Sequence, residues 1–511
     1  MDILVNNVQV FDHSKKKFAL GGIAVIEQRI IEVYSESSSI PFDHFDRVID
    51  GKGLYAMPGF FDIHSRGDLA MVSDPSRLSA LSQGITCEVI GNDGFGVAPI
   101  KHSNYMLHSQ YVAHSLGNPQ LKWHWETTSQ YLNLLHEKNA TNKIFYAPHG
   151  TMRLEASLNT SLSPTGLSAL MHLTERAMDE GACGVSISCS QSPSRDGWKN
   201  DHEMAAIASL LKKKNGILSV CLCGSSHYFK DAERAIQIAK TAGIRLHLSS
   251  LFSENDDNAE EVIPLLEKSK KEVPGLLVDV SPYPTRLLKL SNILPDWVKE
   301  VSSEELRLKL KKIEAVQGIF DSLNLKEDYL EKIKLILTSK KEFKRHEGTL
   351  LEHIAMERDE TIYDVLLNLL LFDSDKTFFE YEAVRPDILK RLFDLSFVVP
   401  ATSGYLDSRV LPDMYGAIPT YIKNFSDLDP VKITIKLSMI PAEFYGIKWG
   451  IKKSNKANML LLNPNNVYSE ANFDNPRSLA EGIDCVIVNG RIAFEKNKST
   501  GLRCGEVLSW S

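Results

Sequence analysis

Apolar and polar positions alternate with a period of two in ILVNNVQVFD, GGIAVIEQRIIEVY and RVIDGKGLYAMPGF at the start of the chain. The same period returns near its end in ANMLLLNP, GIDCVIVNGRIAFE and GLRCGEVL. Alternation sends one row of side chains inward and the other to water, which predicts short strands, and Asn489-Gly490 carries a hairpin-turn signal. Residues 1–57 and 440–511 together therefore predict a small β-sandwich domain built from both ends. Between them the pattern changes. Eight apolar strand-like runs (AMPGFFDIH, ITCEVIG, KIFYAP, CGVSIS, ILSVCL, IRLHLSS, GLLVDVS and LSFVVP) are interspersed with amphipathic stretches such as HEMAAIASLLKKKNG and DAERAIQIAKTAG. Eight repeated βα units predict an α/β fold, a closed (β/α)8 barrel over 58–439, with functional side chains at the C-terminal ends of its strands. The interval between VDVSPYP and LSFVVP is too long for one crossover. It predicts a mostly helical insertion at about 286–350, followed by the amphipathic helix TIYDVLLNLLLF.

Composition narrows the function classes. The 511 residues are 43% hydrophobic and 24% charged, enough for one large barrel with a satellite domain. A net charge of −7 argues against a nucleic-acid backbone or an anionic membrane as partner. The expected partner is a small-molecule ligand in the barrel mouth. No apolar stretch reaches the roughly 20 residues that span a bilayer, and MDILVNNVQVFD lacks a basic segment leading into an apolar one, so a cytoplasmic protein is expected. Seven cysteines, an odd number, suit a reducing compartment. The Lys runs at 15–17 and 212–214 read as solvated faces, and the pattern carries no reading of oligomeric state.

The segment PGFFDIHSRGD, followed by EVIGNDGFGVAP, resembles the opening of the amidohydrolase superfamily, where strand 1 ends in His-x-His. More narrowly it is similar to the N-acyl-D-amino-acid deacylases, or D-aminoacylases, whose strand 2 ends in a Gly-Asn-Cys-Gly-Phe-like turn followed by Ala-Pro. The similarity continues through HGTMRL, EGACGVS, SPYP, ILPDWV, YGAIP and FDNPRSLAEGIDCVIVNG, nearly the whole chain. The resemblance implies a (β/α)8 barrel with a β-sandwich from both termini, and hydrolysis of the acyl amide of an N-acyl-D-amino acid. It also implies zinc, which activates a water and polarises the carbonyl, with an Asp at the end of strand 8 as general base and acid.

Carried over residue by residue, the resemblance meets substitutions at the chemistry. His64 matches the first histidine, but Arg66 stands at the second and cannot ligate a metal. Asp93 matches the bridging cysteine of strand 2 and can still ligate. Cys221, with Cys223 two residues on, occupies the strand 5 position, and Ser250 replaces the strand 6 histidine. His247, three residues before Ser250, is expected on the opposite face. Ser403 stands where the catalytic aspartate belongs, and Asp413 where an arginine would hold the substrate carboxylate, reversing the charge preference. Tyr283 matches a substrate-contacting tyrosine, and His149 matches a family position that is not a metal ligand, with structural support and substrate binding both open.

The catalytic candidates are thus Asp93, Cys221 and Ser403, and the substrate-binding candidates Arg66, Tyr283, His149 and Asp413. His64, Asp93 and Cys221 are metal ligands only if a metal is bound. Three readings stay open: a catalytically silent binding protein, a repurposed metal-free enzyme acting on a small amide or acyl compound, and a zinc-dependent amide hydrolase with a rebuilt ligand set. The first two imply no cofactor, the third zinc. A nucleophilic Cys221 would need Arg66 or His64 to lower its pKa. The Trp123-His124-Trp125 stretch reads as a loop anchor in preference to a lid.

Overall fold

The computed structural model describes residues 1–35, 44–156, 163–191, 193–223, 227–251, 259–273, 275–290, 330, 332–373, 376–402, 404–406 and 409–510. They divide into two compact units, Met1–Pro282 with Asp387–Ser511, and Tyr283–Pro386.

The first unit contains the eight strands that the apolar runs predict. They are β1 (Phe60–Asp62), β2 (Ile85–Ile90), β3 (Asn142–Phe145, resuming as Ala147–Pro148), β4 (Gly184–Ser188), β5 (Ile217–Cys221), β6 (Arg245–Ser249), β7 (Leu276–Val280) and β8 (Val398–Pro400). Neighbours pair in parallel from β1 through to β8. The ends of β8 and β1 are stitched by side chains: Thr402 donates its hydroxyl to Asp62 Oδ2 at 2.6 Å and its N–H to Oδ1 at 3.2 Å. Phe61, Cys87, Val89, Ile144, Tyr146, Ile217, Leu277 and Val399 form one buried cluster, a filled barrel interior. The helix Ile440–Tyr445 supplies Ala442, Phe444 and Tyr445 to that cluster.

The two chain ends form a nine-stranded sheet in which Tyr55–Pro58 pairs antiparallel with Met459–Leu462, joining the N-terminal strands to the C-terminal hairpin Ile483–Val488 and Arg491–Glu495. The two residues turning that hairpin, Asn489 and Gly490, have φ of 45° and 73°, the left-handed pair that Asn-Gly favours.

In the second unit, Thr285–Lys289, Phe378–Glu382, Lys334–Leu337 and Thr349–Leu350 form a four-stranded sheet in that order, with helices Leu351–Arg358 and Ile362–Asp373. The expected helical insertion at 286–350 falls largely on 291–329, outside the described residues. Its described flanks are strands and a 3-10 segment, Lys341–His346. Among the described residues, no helix is long and apolar enough to cross a membrane.

Candidate functional site

The C-terminal ends of β1, β2, β6 and β7 converge on one buried chain of charges. His64 follows β1, and its Nε2 lies 2.9 Å from Asp93 Oδ2 while its Nδ1 lies 3.1 Å from Asp279 Oδ1. Arg66 reaches the same Asp93 oxygen, with Nε at 2.8 Å and Nη2 at 2.7 Å. Asp279 in β7 is then shared: its Oδ2 lies 2.8 Å from His247 Nε2, and its Oδ1 accepts the Ser250 N–H at 3.0 Å. Ser249, the last residue of β6, places Oγ 2.9 Å from His64 Nδ1, and Ser250 Oγ lies at 3.3 Å from it.

Asp93 owes its position to the loop after β2. Its φ of 61° lies in the left-handed region, which Asp tolerates better than most residues. The loop is pinned on both sides of it: Gly91 N–H donates to Asp68 Oδ1, Gly94 N–H to Ser186 Oγ and Gly96 N–H to Thr151 Oγ1. Trp123 and Trp125 stack at 5.6 Å, and Trp125 donates its indole N–H to Val97 O at 2.7 Å, so the tryptophan stretch anchors this loop.

Electrostatics follow from burial and pairing. Burial opposes charge on His64, but Asp93 and Asp279 outweigh it and raise its pKa to about 10, which favours the protonated ring. Burial likewise opposes charge on Asp93, yet His64 and Arg66 hold its carboxyl far below the usual range. The Cys221 thiol is pushed well up by burial and by the Asp93 carboxylate, only partly relieved by Arg66. Burial raises Asp62 to about 6 against the opposing Thr402 hydrogen bonds, and raises Asp68 to about 7.

Of the residues named from sequence, His64, Arg66, Asp93 and Cys221 share this site. Asp413 begins the helix Asp413–Phe425, and its Oδ2 accepts the Ser281 hydroxyl at 3.2 Å, two residues beyond Asp279. His149 lies in a separate buried network, with Nδ1 3.0 Å from Ser194 Oγ and Nε2 2.8 Å from Glu203 Oε1. This Ser-His-Glu arrangement is sealed, because Ser194 Oγ accepts the Ser188 N–H and a Cβ on Gly94 would come within 2.8 Å of it. Tyr283 is the first residue of the second unit, where its carbonyl accepts from Arg286. Ser403 lies outside the described residues.

One expectation needs correction. Counting back from Ser250 put His247 on the face away from the site, but Ser250 has a φ of 49° and ends the regular alternation. His247 and Ser249 share the inward face of β6, and both reach the His64–Asp279 pair. Asp279, Ser249 and Asp62 were missed altogether. The available signal was a lone acid in the apolar run LLVDV at the same parity as the inward Leu277, since an interior carboxylate demands a partner.

Comparison with known proteins agrees with this architecture. A D-aminoacylase of Alcaligenes xylosoxydans xylosoxydans is 23% identical over 475 residues, 90% of this chain and 88% of the relative. An N-acyl-D-aspartate deacylase of the same organism is 22% identical over 99% of this chain and 95% of its own. The homologues are D-aminoacylases and N-acyl-D-amino-acid deacylases, of the amidohydrolase superfamily. Among solved structures, the crystal structure of D-aminoacylase superposes with a TM-score of 0.75 at 21% identity, covering 99% of both chains. An N-acyl-D-glutamate deacylase of Bordetella bronchiseptica, complexed with zinc and a phosphonate inhibitor, superposes with a TM-score of 0.76 at 18% identity, again over 99% of both. No family model matches the chain. Deacylase-like barrels thus share this fold; in this chain the His64–Asp93–Arg66 cluster stands at the C-terminal strand ends.

Proposed function

We propose that this chain is a metal-independent branch of the deacylase-like barrels, which binds a small acyl or amide compound at the barrel mouth without zinc-assisted hydrolysis. The observation that carries the reading is the sharing of Asp93 Oδ2 between His64 and Arg66, with Asp279 on the other side of the ring. A metal ligand must present a lone pair, and Arg66, at the position of the second histidine, has none to give. Arg66 brings a permanent positive charge to the same carboxylate oxygen. Two cations and two anions already balance, so a divalent ion would have to displace a buried pair. Among the described residues, no three His, Cys, Asp or Glu side chains are grouped to hold a metal. The substitution at Arg66 and the pairing of Asp93 with two cations argue against zinc at this place.

The same charges argue for binding over chemistry. His64 stays protonated through neutral pH, Asp93 is too acidic to take a proton, and the Cys221 thiol is 3% exposed with its pKa raised. None of the three is tuned as base or nucleophile near pH 7.

The test is metal content by inductively coupled plasma mass spectrometry on protein purified without chelator, with hydrolysis of N-acyl-D-amino acids measured alongside. Metal well below one per chain and no turnover are expected. Near-stoichiometric zinc that disappears in His64→Ala and Cys221→Ala would establish a rebuilt zinc hydrolase instead. Metal-free turnover abolished by a thiol reagent would establish a repurposed enzyme.

A further inference from the structure

Away from the barrel mouth, and independently of its reading, we propose a second binding site in the outer helical layer. The trench between the helices Asp201–Lys214 and Tyr228–Ala242 takes a free medium-chain aliphatic carboxylate, with its chain along the trench and its head at Lys212. Neighbouring helices normally interdigitate their side chains and leave little space between them. Here Ala205, Ala208 and Ala242 are too short to do so, and together with Met204 and Ile238 they line an open trench of about 480 Å³. Small-molecule sites occupy about 300–1,000 Å³. Met204 and Ala208 are buried and apolar, and from Met204 to Lys212 the helix rises about 12 Å, room for an extended chain.

The head group follows from charge. Of the three consecutive lysines that end the first of these helices, Lys213 pairs with Glu175 at 3.0 Å and Lys214 with Asp179. Lys212 lines the trench instead, where its Nζ donates to the Gly243 carbonyl at 2.9 Å and, among the described residues, has no carboxylate partner. An ammonium has three donors, so two remain for a ligand. At the other end the charges cancel, because Arg234 donates to Asp201 Oδ1 at 2.7 Å and to the Trp198 carbonyl at 3.0 Å. Along the rim Gln237 donates to Thr241 Oγ1 at 3.0 Å. Asp201, Arg234 and Lys212 are the charged residues of the lining, which leaves one unmatched positive charge, at the Lys212 end.

An apolar trench with a single cation at one end is complementary to an amphiphile with a single negative charge. A phosphate head, at about −1.5 to −2, would leave charge unmatched, and one lysine is far from the cluster of basic residues that holds an anionic membrane. Both helices end beside Lys212, and helix C-termini repel anions. Here the left-handed residues Asn215 and Gly243 turn their N–H groups onto the carbonyls of Leu211, Lys212, Ala239 and Lys240, so those oxygens are already occupied.

The experiment is isothermal titration of purified full-length protein with decanoate below micelle-forming concentrations. Decyltrimethylammonium, with the same chain and the opposite charge, and acetate, the head without the chain, are run beside it. Decanoate is expected to bind at one site, the cation at least about fivefold more weakly and acetate not measurably. Lys212→Met should weaken decanoate about fivefold, the upper end for an exposed ion pair, and Ala205→Trp should abolish its binding by filling the trench. Both positions are exposed, so both variants should keep the wild-type thermal midpoint. No saturable decanoate binding, equal or tighter binding of the cation, or decanoate binding undiminished in Ala205→Trp would each overturn the proposal, the last by placing the ligand elsewhere, the barrel mouth included. A wild-type dimer that Ala205→Trp converts to monomers, read by light scattering, would overturn it by assigning the trench to a second copy of the chain. None of these outcomes touches the metal-free reading, which stands or falls on the zinc content.

Discussion

Arg66 and His64 are held in place by charges that leave each other few alternatives. Replacing Arg66 by Met removes two of the donors on Asp93 Oδ2 and leaves a buried carboxylate without one of its two cations. Breaking one partner of a buried pair costs about 3–5 kcal/mol, so Arg66→Met should lower the thermal midpoint by several degrees, read by calorimetry. An unchanged midpoint would mean that Arg66 is not paired in solution. His64 makes a second prediction through pH. Its folded pKa, about 10, lies above the ordinary 6.5, so its stabilising contribution is complete below pH 6.5 and is lost as pH rises toward 10. Lys143 and Lys436 oppose this trend, because burial lowers each to about 7 and their burial becomes less unfavourable as pH rises. The difference between wild type and His64→Gln isolates the histidine. Urea midpoints should converge between pH 6.5 and 10, and a constant gap would exclude the imidazolium.

At the scale of the element, the helix Tyr105–Leu116 and the segment His149–Glu155 meet where His108 Nε2 lies 3.0 Å from Glu155 Oε2 and where Tyr111 Oη stands over Gly150. Gly150→Ala puts a methyl group 2.0 Å from that oxygen and 2.9 Å from Gly94 O, so something must shift. Overpacking of this kind costs about 1–3 kcal/mol, and adding Tyr111→Phe, which removes the hydroxyl, should return part of the loss. Urea unfolding of the four proteins closes the cycle, and strict additivity would show that the two positions do not interact. This contact also marks where sequence reading stops. The eight barrel strands were legible because each buried run is mostly apolar, and His64, Arg66, Asp93 and Cys221 were legible because they sit in strings that resemble a known family. Asp279 and Ser249 were not, since a single polar residue inside an apolar run does not announce its partner on another strand. Tyr111 was hidden for a different reason: it lies in a long connection whose helix has apolar residues on several faces, with Met106 and Leu107 exposed.

At the scale of the whole first unit, the terminal sheet and the barrel are joined by three buried asparagines drawn from distant parts of the chain. Asn142 in β3 donates to Asn458 Oδ1 at 2.9 Å, Asn458 donates to Asn489 Oδ1 at 3.0 Å, and Asn489 donates back to Asn142 Oδ1 at 2.7 Å. The ring is extended by the Glu506 N–H to Asn142 and by Asn489 to the Cys504 carbonyl, so it also fastens the final segment of the chain. Each amide is bonded to both of the others, and a network of this kind is stable when complete and costly when broken. Asn142→Ala takes a partner from Asn458, from Asn489 and from the Glu506 N–H at once, while Asn458 Oδ1 keeps the Asn489 N–H and Asn489 keeps the Cys504 carbonyl. With three bonds lost together, at about 1 kcal/mol each, the loss exceeds that of an ordinary buried hydrogen bond. Because the ring is a junction between layers, the expected signature is more than a lower midpoint. Hydrogen exchange should accelerate in Ile483–Val488 and Arg491–Glu495 before it does in β4 and β5, as the terminal sheet gains a route to open separately from the barrel. Uniform acceleration across both would show instead that sheet and barrel unfold as one cooperative body, with the asparagines contributing only their share of its stability.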